Sequence, residues 1–220
     1  MKLMTVVEVA LSLPKTILFN VWYLPWRQAI RLPILVSRNV WLRQIRGEVL
    51  LPRSLPTASV RIGFGDIGIF DRKRSRSIWE VRGRVFFGGR CAIGHGCKVS
   101  ASGDLYFGEG VALTAESTIV AKKSVRIGNN TLISWDVLIM DSDLHHMTDA
   151  DGNVGNPPSA VVVGDGVWLG CRSLVLKGVS IPDGCVVAAG SVVSRTTLQE
   201  HSLLAGSPAK VVKDGVYWRE

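Results

Sequence analysis

The sequence has no CxxC unit, no histidine cluster beside its four cysteines and no clean apolar run long enough to cross a bilayer. Cys91 and Cys97 stand 6 residues apart and Cys171 and Cys185 stand 14 apart, unlike the ligand sets of zinc modules. No bound metal is therefore expected, and four lone thiols suit a reducing compartment better than a disulfide scaffold. The most apolar stretch, residues 5–24, is interrupted by Glu8, Pro14, Lys15 and Asn20. It falls short of the roughly 20 apolar residues that a span requires. Without a secretory signal and its small-residue cleavage site, the chain is expected in the cytoplasm. Aromatic residues are few, 16 against 23 glycines, while valine and isoleucine recur through the second half. That balance favours a turn-rich β architecture over a helical bundle, and 220 residues suit a single domain with a short extension.

Charge is also unevenly spread. Residues 1–98 hold 17 basic and 5 acidic side chains, and residues 99–220 hold 9 and 13. A basic half suits an anionic partner. Nucleic acid is not expected, because the repeat region described below lacks an aromatic and basic groove. Residues 1–55 are expected to form an amphipathic helical extension, since Trp26, Ile30, Leu35, Val40 and Trp41 interleave with Arg27, Arg31, Arg38, Arg43 and Arg46. Two uses of the segment stay open at this point. It caps the β core or packs on a neighbouring subunit, or residues 5–46 lie on the inner face of a membrane. The run Arg72, Lys73, Arg74 and Arg76 is read as a solvated turn.

The dominant pattern is a period of six. Residues 161–196 divide into VVVGDG, VWLGCR, SLVLKG, VSIPDG, CVVAAG and SVVSRT, placing Val163, Leu169, Val175, Ile181, Val187 and Val193 at one equivalent position. The same register runs through Val81, Phe87, Ile93 and Val99, then Phe107, Leu113 and Ile119, then Ile127, Ile133 and Ile139, with steps of eight between the blocks. An aliphatic side chain at every sixth residue points into a narrow interior. Three short strands then close one coil of about eighteen residues.

This pattern, over roughly residues 60–210, resembles the hexapeptide-repeat family of left-handed parallel β-helices. The resemblance implies an all-β solenoid over 56–200 with a tail at 201–220, and an acyltransferase drawing on acetyl-CoA. It further implies a homotrimer with active sites in the clefts between subunits.

Between Ile139 and Val163 the pattern breaks, and residues 141–160, DSDLHHMTDADGNVGNPPSA, are polar and rich in turn formers. A long extruded loop in a compact solenoid is more often functional than accidental. Acyl transfer to a hydroxyl needs a base, and imidazole is suited to it near neutral pH. His145 and His146 are the candidates. DSDLHH resembles the loop entry of sugar O-acetyltransferases in this family, which favours His145. Asp143 or Asp141 would hold the imidazole tautomer, or Asp143 would cap the turn. His95 and His201 are expected at the surface without a role.

By the same resemblance Trp168, Gly170, Cys171, Ala189, Gly190, Ser194 and Arg195 line the groove for acetyl-CoA, and Lys210 and Lys213 meet its phosphates. Thr114, Glu116, Ser134 and Trp135, with Asp141, are expected to face a sugar or polysaccharide acceptor. An asparagine common near the site of Thr114 in sugar acetyltransferases is missing here. The expected activity is O-acetylation of a sugar hydroxyl in capsular or surface polysaccharide synthesis. N-acetylation of an amino sugar, a serine acetyltransferase and a non-catalytic membrane-docking scaffold are the alternatives. A zinc hydratase of this fold is disfavoured, because adjacent histidines cannot readily both face one metal.

Overall fold

The computed structural model describes residues 3–65, 67–71, 75–153 and 155–219, with side chains from Val6 onward. Two helices, α1 (Leu3–Tyr23) and α2 (Trp26–Ala29), precede seven coils of parallel strands. The first coil is β1 (Ile34–Val36), β2 (Trp41–Ile45) and β3 (Glu48–Leu50), and the second is β4 (Val60–Ile62), β5 (Ile78–Val81) and β6 (Arg84–Phe87). The third is β7 (Cys91–His95), β8 (Lys98–Ala101) and β9 (Asp104–Phe107), and the fourth is β10 (Val111–Ala115), β11 (Thr118–Ala121) and β12 (Ser124–Ile127). The fifth holds β13 (Leu132–Ile133), β14 (Leu138–Met140) and β15 (Val161–Val163), and the sixth β16 (Trp168–Leu169), β17 (Leu174–Val175) and β18 (Ser180–Ile181). β19 (Val186–Val187) and β20 (Val192–Val193) begin the seventh, and β21 (Leu203–Gly206) and β22 (Ala209–Lys213) end the fold.

Equivalent strands stack into three faces of a prism. Face A carries β1, β4, β7, β10, β13, β16, β19 and β21, with β22 antiparallel at its edge. Face B runs from β2 to β20 and face C from β3 to β18. Inward residues meet rung by rung, as in Phe87, Phe107, Ile127, Val163 and Ile181 on face C. All five are at most 2% exposed. Each fully buried apolar side chain of this kind contributes about 1.5–3 kcal/mol.

The uniform coil of eighteen residues holds only for the last turns. Leu169 pairs with Val187 at that interval, but Ile93 pairs with Leu113 and Val99 with Ile119 at intervals of 20. The steps of eight are the cause. In the longer coils Ala101 and Leu105 both point inward at the corner between faces B and C, adding one rung to each strand. This also corrects the place of Val81, which pairs with Ala101, while Trp79 takes the rung of Val99.

The helical extension expected over residues 1–55 stops at Ala29, and Ile34–Leu50 already form a full coil. In ILV and WLRQI the side chains alternate between faces of a strand, which suits β-branched and aromatic residues better than a helix. Nor is α1 amphipathic in the usual sense. Ser12, Thr16 and Asn20 are buried, whereas Leu11, Ile17, Leu18, Val21 and Trp22 are exposed. The buried polar row faces the free edge of β1. Asn20 accepts from the Ile34 N–H and donates to its carbonyl, Thr16 does the same for Val36, and Ser12 accepts from the Arg38 N–H. Four helical residues rise about 6 Å and two strand residues about 6.6 Å, so each polar side chain meets the next outward-facing peptide. Phe19 and Tyr23 plug the open end of the interior against Trp79, whose indole N–H donates to the Tyr23 hydroxyl at 3.1 Å. Of the basic run, Arg72–Arg74 lie outside the described residues, and Arg76 packs over the Trp41 ring.

Candidate active site

Every coil must turn from face B to face C, and the backbone N–H groups of that corner need acceptors in the next coil. Ser102 and Gly103 donate to the Ala121 carbonyl, and Asp104 donates to that of Lys123. Lys122, Lys123 and Ser124 have no such corner ahead of them, because there the chain leaves as the loop. The Asp141 carboxylate replaces it, accepting all three N–H groups at 2.7 Å. Asp141 is fully buried. This corrects its expected part in acceptor binding and in orienting a histidine, since both oxygens are committed to the backbone. The Ser159 N–H donates to the Asp141 carbonyl at 2.9 Å and closes the neck of the loop.

Within the loop, Asn156 is the organising side chain. Its Oδ1 accepts from the Met147 N–H at 2.6 Å, and its Nδ2 donates to Asp143 at 2.8 Å and to the His145 carbonyl at 3.0 Å. Lys177, one coil further on, reaches Asp143 at 2.5 Å. The backbone around His145 is thereby fixed, while the imidazoles of His145 and His146 stand exposed. Asp143 does not touch either ring, contrary to expectation, because Lys177 and Asn156 occupy it. These two partners hold its carboxyl below the usual carboxylate range. A depressed value means the charge survives into mild acid and is lost only as the pH falls through that lowered value. Sequence reading passed over both partners. Lys177 had a signal, being the long cation in a hexad that ends at a corner, whereas Asn156 looks like any other polar loop residue.

The acceptor candidates lie at a different edge of the prism. Thr114 faces outward on β10, Glu116 and Trp135 sit at the corner between faces A and B, and Ser134 is buried and accepts from the Trp168 indole at 3.0 Å. Among the described residues no hydrogen bond or ion pair joins the loop to any of them, and β14 separates the two corners. Thr114 Oγ1 and Glu116 Oε1 are buried without a partner, although Glu116 Oε2 lies 3.2 Å from Lys98. Close by, His95 is 2% exposed and bonds Ser75 at 2.6 Å, so it is no surface residue.

The residues expected around the thioester split likewise. Cys171, Ala189 and Gly190 line the corner between faces A and B, where Gly190 donates to the Cys171 carbonyl at 2.9 Å. A side chain at Gly190 would meet nothing within 4 Å, leaving that corner open to close approach. Gly170 is different. It is buried, and a Cβ there would come within 2.6 Å of the Val187 carbonyl, so its small size serves coil stacking. Ser194 and Arg195 are exposed at the corner between faces B and C, and Lys210 and Lys213 are exposed on β22.

Burial pushes the Cys97 thiol up to about 12, and Cys91 and Cys185 are raised for the same reason. Cys171 is the only one of the four that is not buried. A disulfide reagent is expected to label one thiol per native chain, at Cys171, and acetyl-CoA is expected to slow that labelling if the corner forms the thioester groove. Mass mapping of the labelled peptide checks both.

A separate groove of about 550 Å³ lies along face A, lined by Asn130, Asp165, Asp183, His201, Tyr217 and Trp218 among others. His201 is half-buried there, packed against Tyr217 with centroids 4.6 Å apart and ring planes tilted by 30°, which corrects its expected exposure. Trp218 packs beside Trp168, with centroids 6.0 Å apart, and donates to the Gly166 carbonyl. Neither histidine of the loop borders this groove. No group of three or more metal-ligating side chains is gathered among the described residues.

Residues 160–195 match the family described as a hexapeptide repeat of succinyl-transferase. The chain is 36% identical over 142 residues to a putative lipopolysaccharide biosynthesis O-acetyl transferase, WbbJ, of Escherichia coli strain K12, covering 60% of this chain and 72% of that one. The chain belongs to the hexapeptide-repeat acyltransferases. The galactoside O-acetyltransferase of the same organism is 28% identical to this acyltransferase over 117 residues, 52% of this chain and 56% of that one. A solved polysialic acid O-acetyltransferase, OatWY, superposes with a TM-score of 0.53 at 21% identity, covering 86% of this chain and 88% of that one. The fold of this acyltransferase is thus the left-handed parallel β-helix.

Proposed function

We propose that this acyltransferase is an acetyl-CoA-dependent O-acetyltransferase acting on a sugar hydroxyl of a surface or capsular polysaccharide, with His145 as general base. The observation that carries the reading is the loop itself, in which Asn156, Asp143 and Lys177 brace the backbone and leave an imidazole free at its edge. The names of the relatives, which transfer acetyl groups to sugars, support the acceptor class. The base takes the proton of the acceptor hydroxyl as its oxygen attacks the thioester carbonyl. The tetrahedral oxyanion then collapses, the carbon–sulfur bond breaks, and the imidazolium returns the proton to the departing thiolate. No acyl-enzyme forms on this path.

The two groups of candidates border face B from opposite corners. The outward residues between them, Leu138, Leu174 and Val192, stack in register as a half-buried apolar stripe. A second copy against this stripe would bring its own corner to the loop, which supports a homotrimer with shared sites. In that arrangement the corner with Thr114 and Glu116 faces the partner's loop, and Thr114 Oγ1 and Glu116 Oε1, buried and unpaired here, would meet acceptor hydroxyls once their side chains turn outward.

The test is release of free thiol from acetyl-CoA with a panel of sugars, sugar nucleotides, amino sugars and serine, beside the solution mass by light scattering. Sugar-stimulated release by a three-chain particle is expected. Release with serine or an amino sugar alone would move the reading to those acceptors, and a monomer would remove the shared site. Glu116→Gln is expected to raise KM for the acceptor several-fold and leave KM for acetyl-CoA near its original value, measured by initial rates.

A further inference from the structure

The outward surface of α1 is apolar because its polar residues are spent on the edge of β1. Val21 is 65% exposed, Trp26 69% and Ile30 68%, and they border a groove of about 390 Å³ with Ile17, Leu24 and Leu32. Exposed residues of this size, contiguous on one end of the fold, mark an interaction surface. No helix of the described residues is long and apolar enough to cross a membrane, so the surface is not a span.

Cations surround it. Arg27 lies 5.7 Å from the Trp26 ring, and Arg31 follows Ile30. The Arg38 N–H bonds Ser12 near the other end of the helix, and the Trp22 indole donates to the Ile45 carbonyl, next to Arg46. All four arginines are exposed. The first fifty residues hold seven basic and two acidic side chains. Tryptophan with arginine around an aliphatic face is the composition that settles at the headgroup level of a bilayer. A second copy of this face is a poorer occupant, since a two-fold contact would bring the arginine rims together.

We infer that this end of the molecule docks on an anionic phospholipid surface, with Val21, Trp26 and Ile30 entering the acyl boundary and Arg27, Arg31, Arg38 and Arg46 meeting lipid phosphates. The inference does not depend on the transferase reading, because none of these residues belongs to the loop or to the fourth to seventh coils, whose corners hold the acceptor and thioester candidates. Each arginine near an anionic surface strengthens binding, and added salt weakens it.

The experiment is flotation of the full chain with phosphatidylcholine vesicles, with and without phosphatidylglycerol. Wild type is expected to float with the anionic vesicles, more weakly as salt is raised, and to stay at the bottom with neutral ones. Val21→Glu/Trp26→Glu/Ile30→Glu and, separately, Arg27→Glu/Arg31→Glu are expected to lower the bound fraction at least tenfold, with solution mass and circular dichroism unchanged. No flotation of wild type would overturn the inference. So would a fall in solution mass in the first variant, which would make another copy of the chain the occupant. Thiol release with a soluble acceptor, unchanged in both variants, keeps this outcome separate from any failure of the transferase reading.

Discussion

His145→Ala is expected to lower sugar-stimulated thiol release by about 10²–10⁴-fold, the range that a positioned general base supplies. Binding of acetyl-CoA is expected to persist, because among the described residues no hydrogen bond or ion pair joins the imidazole to the residues of the proposed groove. His146→Ala is expected to stay within a few-fold of wild type. The two exchange roles if the measurement reverses them. Asp143 is bonded to Lys177 and Asn156 instead of an imidazole, so its replacement is expected to act through loop position. Since its carboxyl is held below the usual range, an acid limb of the rate profile lying above that range cannot be assigned to it. Single-turnover rates against pH for wild type and Asp143→Asn check this point.

Asp141→Ala is expected to be the most destabilising single change in the loop. It removes the acceptor of three backbone N–H groups at once, each worth about 1–3 kcal/mol when left unpaired. A loss of about 3–6 kcal/mol is expected if part of that penalty is relieved by water. In a chain of this size that corresponds to a fall in Tm of about 6–24 °C. Asp141→Asn keeps one carbonyl acceptor and aims an amide donor at the others, so it is expected to recover only part of the loss. Thermal unfolding followed by circular dichroism measures both. A wild-type Tm in Asp141→Ala would mean that the corner is satisfied by other means.

The solenoid was legible because burial imposes it residue by residue. An interior this narrow demands an apolar residue at every sixth position, and Phe107, Ile127, Val163 and Ile181 sit on the rungs that the period assigns. The coil length is not legible from the period alone, because the steps of eight look like joints between blocks and in fact enlarge each coil. Trp79 was invisible to a search for aliphatics because its indole fills the widened end beneath Phe19. The loop could be placed from its composition alone. What the side chains in it do could not, since Asp141 and Asp143 are the same residue type two positions apart. One of them faces three peptide groups and the other faces a lysine from the next coil, and only tertiary contact separates them. For α1, the interruptions mark a helix that does not span and can cap the core, but the partners of its polar residues were not legible. A helix that turns serine, threonine and asparagine inward has the apolar composition of a membrane or core helix, and its polar partners are peptides of a strand that begins at Ile34.

Both ends of face A are closed by the chain itself. Ser12, Thr16 and Asn20 occupy the donors and acceptors of β1 that a further coil would use, and at the opposite end β22 folds back antiparallel on β21. An uncovered parallel edge is a template for another molecule of the same kind, and a repeating stack has no intrinsic length. The helix is therefore an edge cover as much as a plug. Cutting the chain before Ile34 would uncover the edge of β1 while β22 still closes the other end, so the expected product is a pair of chains joined edge to edge and not a growing fibre.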